Sequence, residues 1–162
     1  KTIYMVDILP SRLALTAKTY ENLVTINALE QDPVAILGEL TGGRGVDVAI
    51  EAVGHAHAIE GRPHPVAQCV KAIRGAGTVC VLGLSDDPVP LIMKELIWKE
   101  ARLVTSRVTH GEFQQTIDHL DAGELNPEAL ISAEMPASQA AEAFERLAAR
   151  PQDYLKILLT IP

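Results

Sequence analysis

Residues 2–6 (TIYMV) form an apolar, partly β-branched run that stops at Asp7, and a helix-like run begins beside Pro10. A run this short, followed at once by a helix, reads as a strand of a sheet built from strand–helix repeats. The alternation continues. Residues 11–20 read as helix, 23–26 as strand and 33–40 as helix. Residues 46–52 read as strand, 66–73 as helix, 78–82 as strand and 102–106 as a further apolar strand. Strands buried on both faces and separated by helices predict an α/β fold, a doubly wound, Rossmann-like parallel sheet.

Position gives Asp7 a chemical meaning. In a dinucleotide-binding sheet, an acidic residue at the tip of the second strand accepts hydrogen bonds from the adenosine ribose hydroxyls. It lies about 20 residues after a glycine-rich phosphate loop. Only residues 1–6 precede Asp7, so the expectation is a chain that starts one strand late. It would be the latter part of an NAD-dependent oxidoreductase.

The remaining glycines do not supply that loop. A pyrophosphate loop must follow a strand and open a helix, so that backbone N–H groups face the phosphate. Gly42-Gly43-Arg44-Gly45 and Gly75-Ala76-Gly77 instead end helices and feed strands. Both are expected to be turns requiring positive φ. Gly54 and Gly83 differ, because each follows the carboxyl end of a strand, where open α/β sheets bind ligands. Either could admit a flat ring or a ribose to the backbone, or simply turn the chain.

The 162 residues carry a net charge of −7 with no basic stripe, which argues against nucleic acid or an anionic membrane as partner. No apolar run approaches the roughly 18 residues that span a bilayer. Cys69 and Cys80 do not suggest a disulfide scaffold, so a reducing, cytoplasmic setting is expected. The pattern changes near residue 108. Beyond it come an amphipathic helix to about Ala122, a short strand over 130–133, a helix over 138–149 with Ser138 as candidate N-cap, and an apolar strand over 154–161.

Together the words VDILPSRLALTAKT, TGGRGVDVAIEAVG, GAGTVCVLGL, KELIWKEARLVTSR, AAEAFERL and LKILLTI resemble the medium-chain, zinc-type alcohol and polyol dehydrogenases. They occur in that family's order and cover nearly the whole chain. The run TSRVTHGEFQQTIDHLDAGELNPEALISAEMP most resembles branches acting on polyols, sugar acids or threonine. The resemblance implies that Asp7 holds the ribose diol and favours NAD over NADP, since a carboxylate repels a 2′-phosphate. Arg12 would lie beside the adenosine, or be a solvated helix-start arginine. Ala52, Val53 and Gly54 would line the adenosine side, and Leu82, Gly83 and Leu84 would present backbone groups to the nicotinamide amide. Ser106 and Arg107 would approach the nicotinamide ribose and the substrate mouth. Lys156 would reach the pyrophosphate, or be a solvated lysine.

The same resemblance implies that residues 1–108 are an N-terminally incomplete NAD-binding domain and that 109–162 return to complete a catalytic domain. The catalytic zinc ligands and the proton relay would lie in an N-terminal domain outside this sequence. No residue here is therefore assigned as catalytic or as a metal ligand. The absent first strand would leave two unpaired strand edges, and the chain is not expected to fold alone. Residues 88–98, from Pro88 to Trp98, would sit at a homodimer or homotetramer interface; Met93, Leu96, Ile97 and Trp98 would equally serve as internal core.

One constellation lies outside the resemblance. His55, His57 and His64, with Cys69, are dense enough to suggest zinc or copper, but their spacing matches no strong zinc signature and the loop is proline-rich. Cys69 reads better as core packing. The predicted function is an NAD-dependent, zinc-type dehydrogenase acting on a secondary alcohol of a small polyol, sugar acid or related hydroxy compound. The fragment alone would be inactive. The alternative is a non-catalytic nucleotide-binding or assembly module that needs a partner chain.

Overall fold

The computed structural model describes residues 1–19, 22–54, 59–86, 88–106 and 109–161. Contacts group the chain into two compact units, residues 28–110 and residues 1–27 with 111–162. The class is α/β with parallel strands, as expected. The strands fall into three small sheets.

The second of these units opens with β1 (Ile3–Asp7), α1 (Pro10–Thr19) and β2 (Leu23–Asn27). Proline suits the first helical turn, where its missing N–H has no partner to lose. β1 and β2 pair in parallel from Ile3↔Leu23 to Asp7↔Asn27, and α1 packs across both. Leu13 and Ile26 are buried here, while Ile3 and Val6 stay exposed. Among the described residues β1 pairs on one side only.

The unit of residues 28–110 holds α2 (Pro33–Leu40), β3 (Val46–Glu51), α3 (Pro65–Ala72), β4 (Ile73–Val81), α4 (Met93–Trp98) and β5 (Arg102–Thr105). The parallel sheet order is β3-β4-β5. Asp32 caps α2 by accepting from Val34 N at 3.0 Å, and Lys99 closes α3 by donating to the carbonyls of Val70, Lys71 and Ile73. The core is Val70 and Ile73 against Val79 and Leu96, with Ala49, Cys69 and Val81 around it.

The expectation that the strands are buried on both faces is corrected. α3 packs on β3 and β4 from one side, whereas Val48 and Ile50 on the alternate face of β3 are 55% and 62% exposed. Among the described residues of this unit no element covers that second face. A further correction concerns Gly75-Ala76-Gly77, which is not a turn between helix and strand. α3 runs directly into β4, and the triplet forms a bulge inside that strand. From Val46 to Val48 β3 advances two residues, while β4 advances five from Ile73 to Thr78. The positive φ falls on Ala76, at 54°, rather than on either glycine. Gly42, Gly43 and Gly45 do take positive φ in the turn before β3, as predicted.

After residue 110 come α5 (Phe113–Asp121), β6 (Ile131–Pro136), α6 (Ala140–Ala149) and β7 (Lys156–Thr160), with β6 and β7 parallel and α6 packed on both. Ser138 does not cap α6. It lies in a 3₁₀ turn, Ala137–Gln139, and Gln139 occupies the N-cap position without a side-chain bond. No helix among the described residues is long and apolar enough to cross a membrane.

Candidate functional site

β1 delivers Asp7 to its carboxyl end, and the chain turns there because Asp7 Oδ1 accepts from Ile8 N at 2.7 Å and Leu9 N at 2.9 Å. This local closure starts α1, with Arg12 N donating to Leu9 O. Arg12 then sits one helical turn on, its Nη1 3.8 Å from Asp7 Oδ2. Its Nε is buried without an acceptor among the described residues. Asp7 Oδ1 is thus committed to the backbone. Oδ2 faces the guanidinium and can accept a ligand hydroxyl.

In the other unit, β3 and β4 end side by side, and one residue ties their ends together. Glu51 closes β3 with only 4% of its surface exposed. Its Oε1 accepts from Val53 N at 2.7 Å and Gly54 N at 3.2 Å, and its carbonyl accepts from Leu82 N at 2.8 Å and Gly83 N at 3.2 Å. A buried carboxylate costs several kcal/mol unless hydrogen-bonded, and the N–H groups of Val53 and Gly54 meet that demand at Oε1. Gly54 has φ 67°, and a Cβ there would lie 3.0 Å from Leu84 N and O. On Gly83 a Cβ would run into Gly54 N and lie 2.6 Å from Glu51 Oε2. Both positions therefore need glycine for a close backbone approach rather than for a simple turn. The result is a flat rim of main chain at the carboxyl edge, with Ala52, Val53, Leu82 and Leu84 exposed beside it.

Ser106 follows β5, and its N–H donates to Val81 O at 3.1 Å, so it joins the same strand ends. Arg107 lies outside the described residues. Lys156 opens β7 opposite Ile131, and its side chain is exposed. Beneath Glu51, the Cys69 thiol is pushed up to about 11, first by burial and then by the negative charge of Glu51. It is a packing group rather than a nucleophile at neutral pH. Sequence reasoning missed Glu51. The available signal was an acid at the last position of an apolar strand, directly before Ala52-Val53-Gly54.

His55 and His57 lie outside the described residues. His64 is buried at the N-cap of α3, with Nδ1 accepting from Val66 N at 3.4 Å and Nε2 without a partner among the described residues. Among the described residues no group of three His, Cys, Asp or Glu side chains could hold a metal ion. The described donor set does not fit a zinc centre.

Residues 2–122 match the family model described as zinc-binding dehydrogenase. A putative D-xylulose reductase of Rhizobium meliloti (strain 1021) is 32% identical over 161 residues, covering 99% of this chain and 44% of the relative. L-Idonate 5-dehydrogenase of Escherichia coli K-12 shares 27% identity and superposes with a TM-score of 0.80, over 98% of this chain and 43% of its own. The short chain alcohol dehydrogenase of E. coli CFT073, complexed with cofactor NADH, shares the fold with a TM-score of 0.84 at 22% identity, over 99% of this chain and 44% of its own. The chain spans less than half the length of these relatives. On the extent of the family match and the similarity to its curated relative, it belongs to the zinc-binding dehydrogenases.

Proposed function

We propose that this chain forms the NAD(H)-binding part of a zinc-type dehydrogenase that oxidises a secondary alcohol of a polyol or sugar acid. The protein would act in a reducing, cytoplasmic setting, in keeping with its free Cys69 and Cys80. Residues 1–108 would supply the cofactor domain, and residues 109–162 would return to complete the catalytic domain. The observation that carries the reading is Asp7, an acid fixed at the end of a parallel strand with Oδ1 satisfied by the backbone and Oδ2 left facing Arg12. That arrangement suits a vicinal ribose diol and disfavours a 2′-phosphate.

The other expected site residues each have a defined task in this reading. Arg12 would line the adenosine. Ala52, Val53 and Gly54 would line the adenosine side, and the main chain of Leu82, Gly83 and Leu84 would offer donors and acceptors to the carboxamide of the nicotinamide. Ser106 and Arg107 would approach the nicotinamide ribose, and Lys156 would offer positive charge to the pyrophosphate. Glu51 would keep the rim rigid, so that little order has to be imposed when the cofactor binds. The nicotinamide, when bound, accepts hydride from the alcohol carbon. No catalytic step is assigned to the residues of this chain. The xylulose reductase and idonate dehydrogenase relatives support this substrate class.

The test is Asp7→Asn in the full-length protein, titrated with NADH and NADPH by fluorescence. Asparagine keeps an acceptor for Ile8 and Leu9 N–H but removes the charge. NADH affinity should fall on the order of tenfold, the equivalent of a charge-assisted hydrogen bond, and discrimination against NADPH should shrink. A wild-type protein that binds neither dinucleotide would overturn the reading.

A further inference from the structure

At the amino ends of β3 and β4, on the edge opposite Gly54 and Gly83, lies a cavity of about 260 Å³. The charged side chains on its wall are Arg44, Lys71, Arg74 and Lys99, and no carboxylate lines it. That is an unusual gathering in a chain of net charge −7 with 14 lysines and arginines. Two acids nearby offset it in part. Asp47 Oδ1 accepts from both Arg44 Nη2 at 2.7 Å and Arg74 Nε at 2.6 Å, and Glu95 Oε1 accepts from Lys71 Nζ at 2.6 Å. Four cations against two carboxylates leave an excess of positive charge around the cavity.

Lys99 plays a distinct part. Its ammonium group donates to the carbonyls of Val70, Lys71 and Ile73 at 3.0, 2.7 and 2.6 Å. It therefore covers the negative end of α3, which would otherwise repel an anion, and it has no carboxylate bonded to it among the described residues. The other three cations keep donors to spare. Arg74 uses Nε and Nη1, the latter on Gly75 O, which leaves Nη2. Among the described residues Arg44 uses only Nη2 of its guanidinium, and Lys71 only one N–H of its ammonium. Planar guanidinium forks beside an ammonium match the oxygens of a phosphate group. The volume lies below the roughly 300–1,000 Å³ of pockets for drug-sized ligands, which points to a small occupant.

We infer that this cavity binds a small oxyanion of the phosphate class, inorganic phosphate or the head of a phosphate monoester, at Arg44, Lys71 and Arg74. The site is separate from the cofactor edge of the same sheet and goes beyond the proposed dehydrogenase reading.

The probe is inorganic phosphate, titrated calorimetrically into the full-length protein in the presence of saturating NADH, so that phosphate contacts at the cofactor edge are blocked. Saturable binding is expected. It should weaken at least tenfold in the Arg74→Gln, Lys71→Gln double variant and several-fold in Arg44→Gln, whose side chain is 61% exposed and whose loss should leave the fold intact. Lys94→Gln, away from the cavity wall, should not change it. Glycerol phosphate binding more tightly than phosphate would support a monoester as occupant, and equal binding would support the free ion. Absence of saturable binding, binding that NADH abolishes, or binding unchanged in Arg44→Gln and in the folded double variant would each overturn the proposal.

Discussion

A methyl group on Gly83 would meet Gly54 N and lie 2.6 Å from Glu51 Oε2. Neither neighbour can move away cheaply. Gly54 N is held by Glu51 Oε1, and Glu51 is buried with its carbonyl bonded back to Leu82 and Gly83. Gly83→Ala should therefore destabilise the full-length protein by about 1–3 kcal/mol, the usual cost of overpacking, and should weaken NADH binding along with it. Gly75 offers the comparison, since a Cβ there meets nothing within 4 Å and Gly75→Ala should stay within about 0.5 kcal/mol of wild type. Urea unfolding of the two variants checks this, and equal midpoints would refute the argument. Gly83 could be singled out in the sequence because a glycine after an apolar strand marks the ligand edge of a parallel sheet. Glu51 could not. Its role depends on which backbone donors lie around it, and two of those, Leu82 and Gly83, come from a strand end about thirty residues later. Asp7 is intermediate: its position at a strand tip was legible, but the commitment of Oδ1 to Ile8 and Leu9 was not.

Elements were most readable where a local residue fixes the backbone. α2 begins at Pro33 with Asp32 bonded to Val34 N, and it ends before glycines with φ of 59°, 80° and 84°. The helix has only eight residues, too few to be stable without its cap and its packing. Asp32→Ala should cost about 1 kcal/mol, seen as a lower thermal midpoint with no change in cofactor affinity, because the Asp32 side chain bonds the start of its own helix and not the Glu51-held rim. An unchanged midpoint would mean that packing alone holds the helix. The segment after α3 was misread for the converse reason. Gly75 and Gly77 have the composition of a turn, yet Lys99 Nζ holds Ile73 O and Lys99 O accepts from Ala76 N at 2.6 Å. These non-local bonds fold the extra residues into a bulge and place the left-handed conformation on Ala76. Ser138 likewise looked like a cap, but the chain tightens into a 3₁₀ turn before α6 begins.

At the scale of the molecule, the question is what its uncovered apolar surface is for. In residues 88–98 the sequence left open whether the apolar side chains are core or interface. The structure divides them: Leu96 is 7% exposed and packs in the core, whereas Met93, Ile97 and Trp98 are 61%, 67% and 77% exposed. Lys94 Nζ lies 4.5 Å from the centre of the Trp98 ring, so part of that ring is screened by a cation while the rest faces outward. Contiguous apolar groups of this kind are more often interfaces than ordinary surface. Self-association of a chain with net charge −7 also needs apolar burial to offset the repulsion. A second copy of the chain is the proposed occupant. Ile97→Asp adds a charge to the exposed side of α4 without touching Leu96, so it should leave the fold and thermal midpoint nearly unchanged. Light scattering after size exclusion should then show the full-length wild type as a dimer or larger and the variant shifted towards monomer. A monomeric wild type, or a variant that keeps its oligomeric state, would rule out this face as the interface. Aggregation of the variant with loss of helical signal would place Ile97 in the core of the folded protein instead.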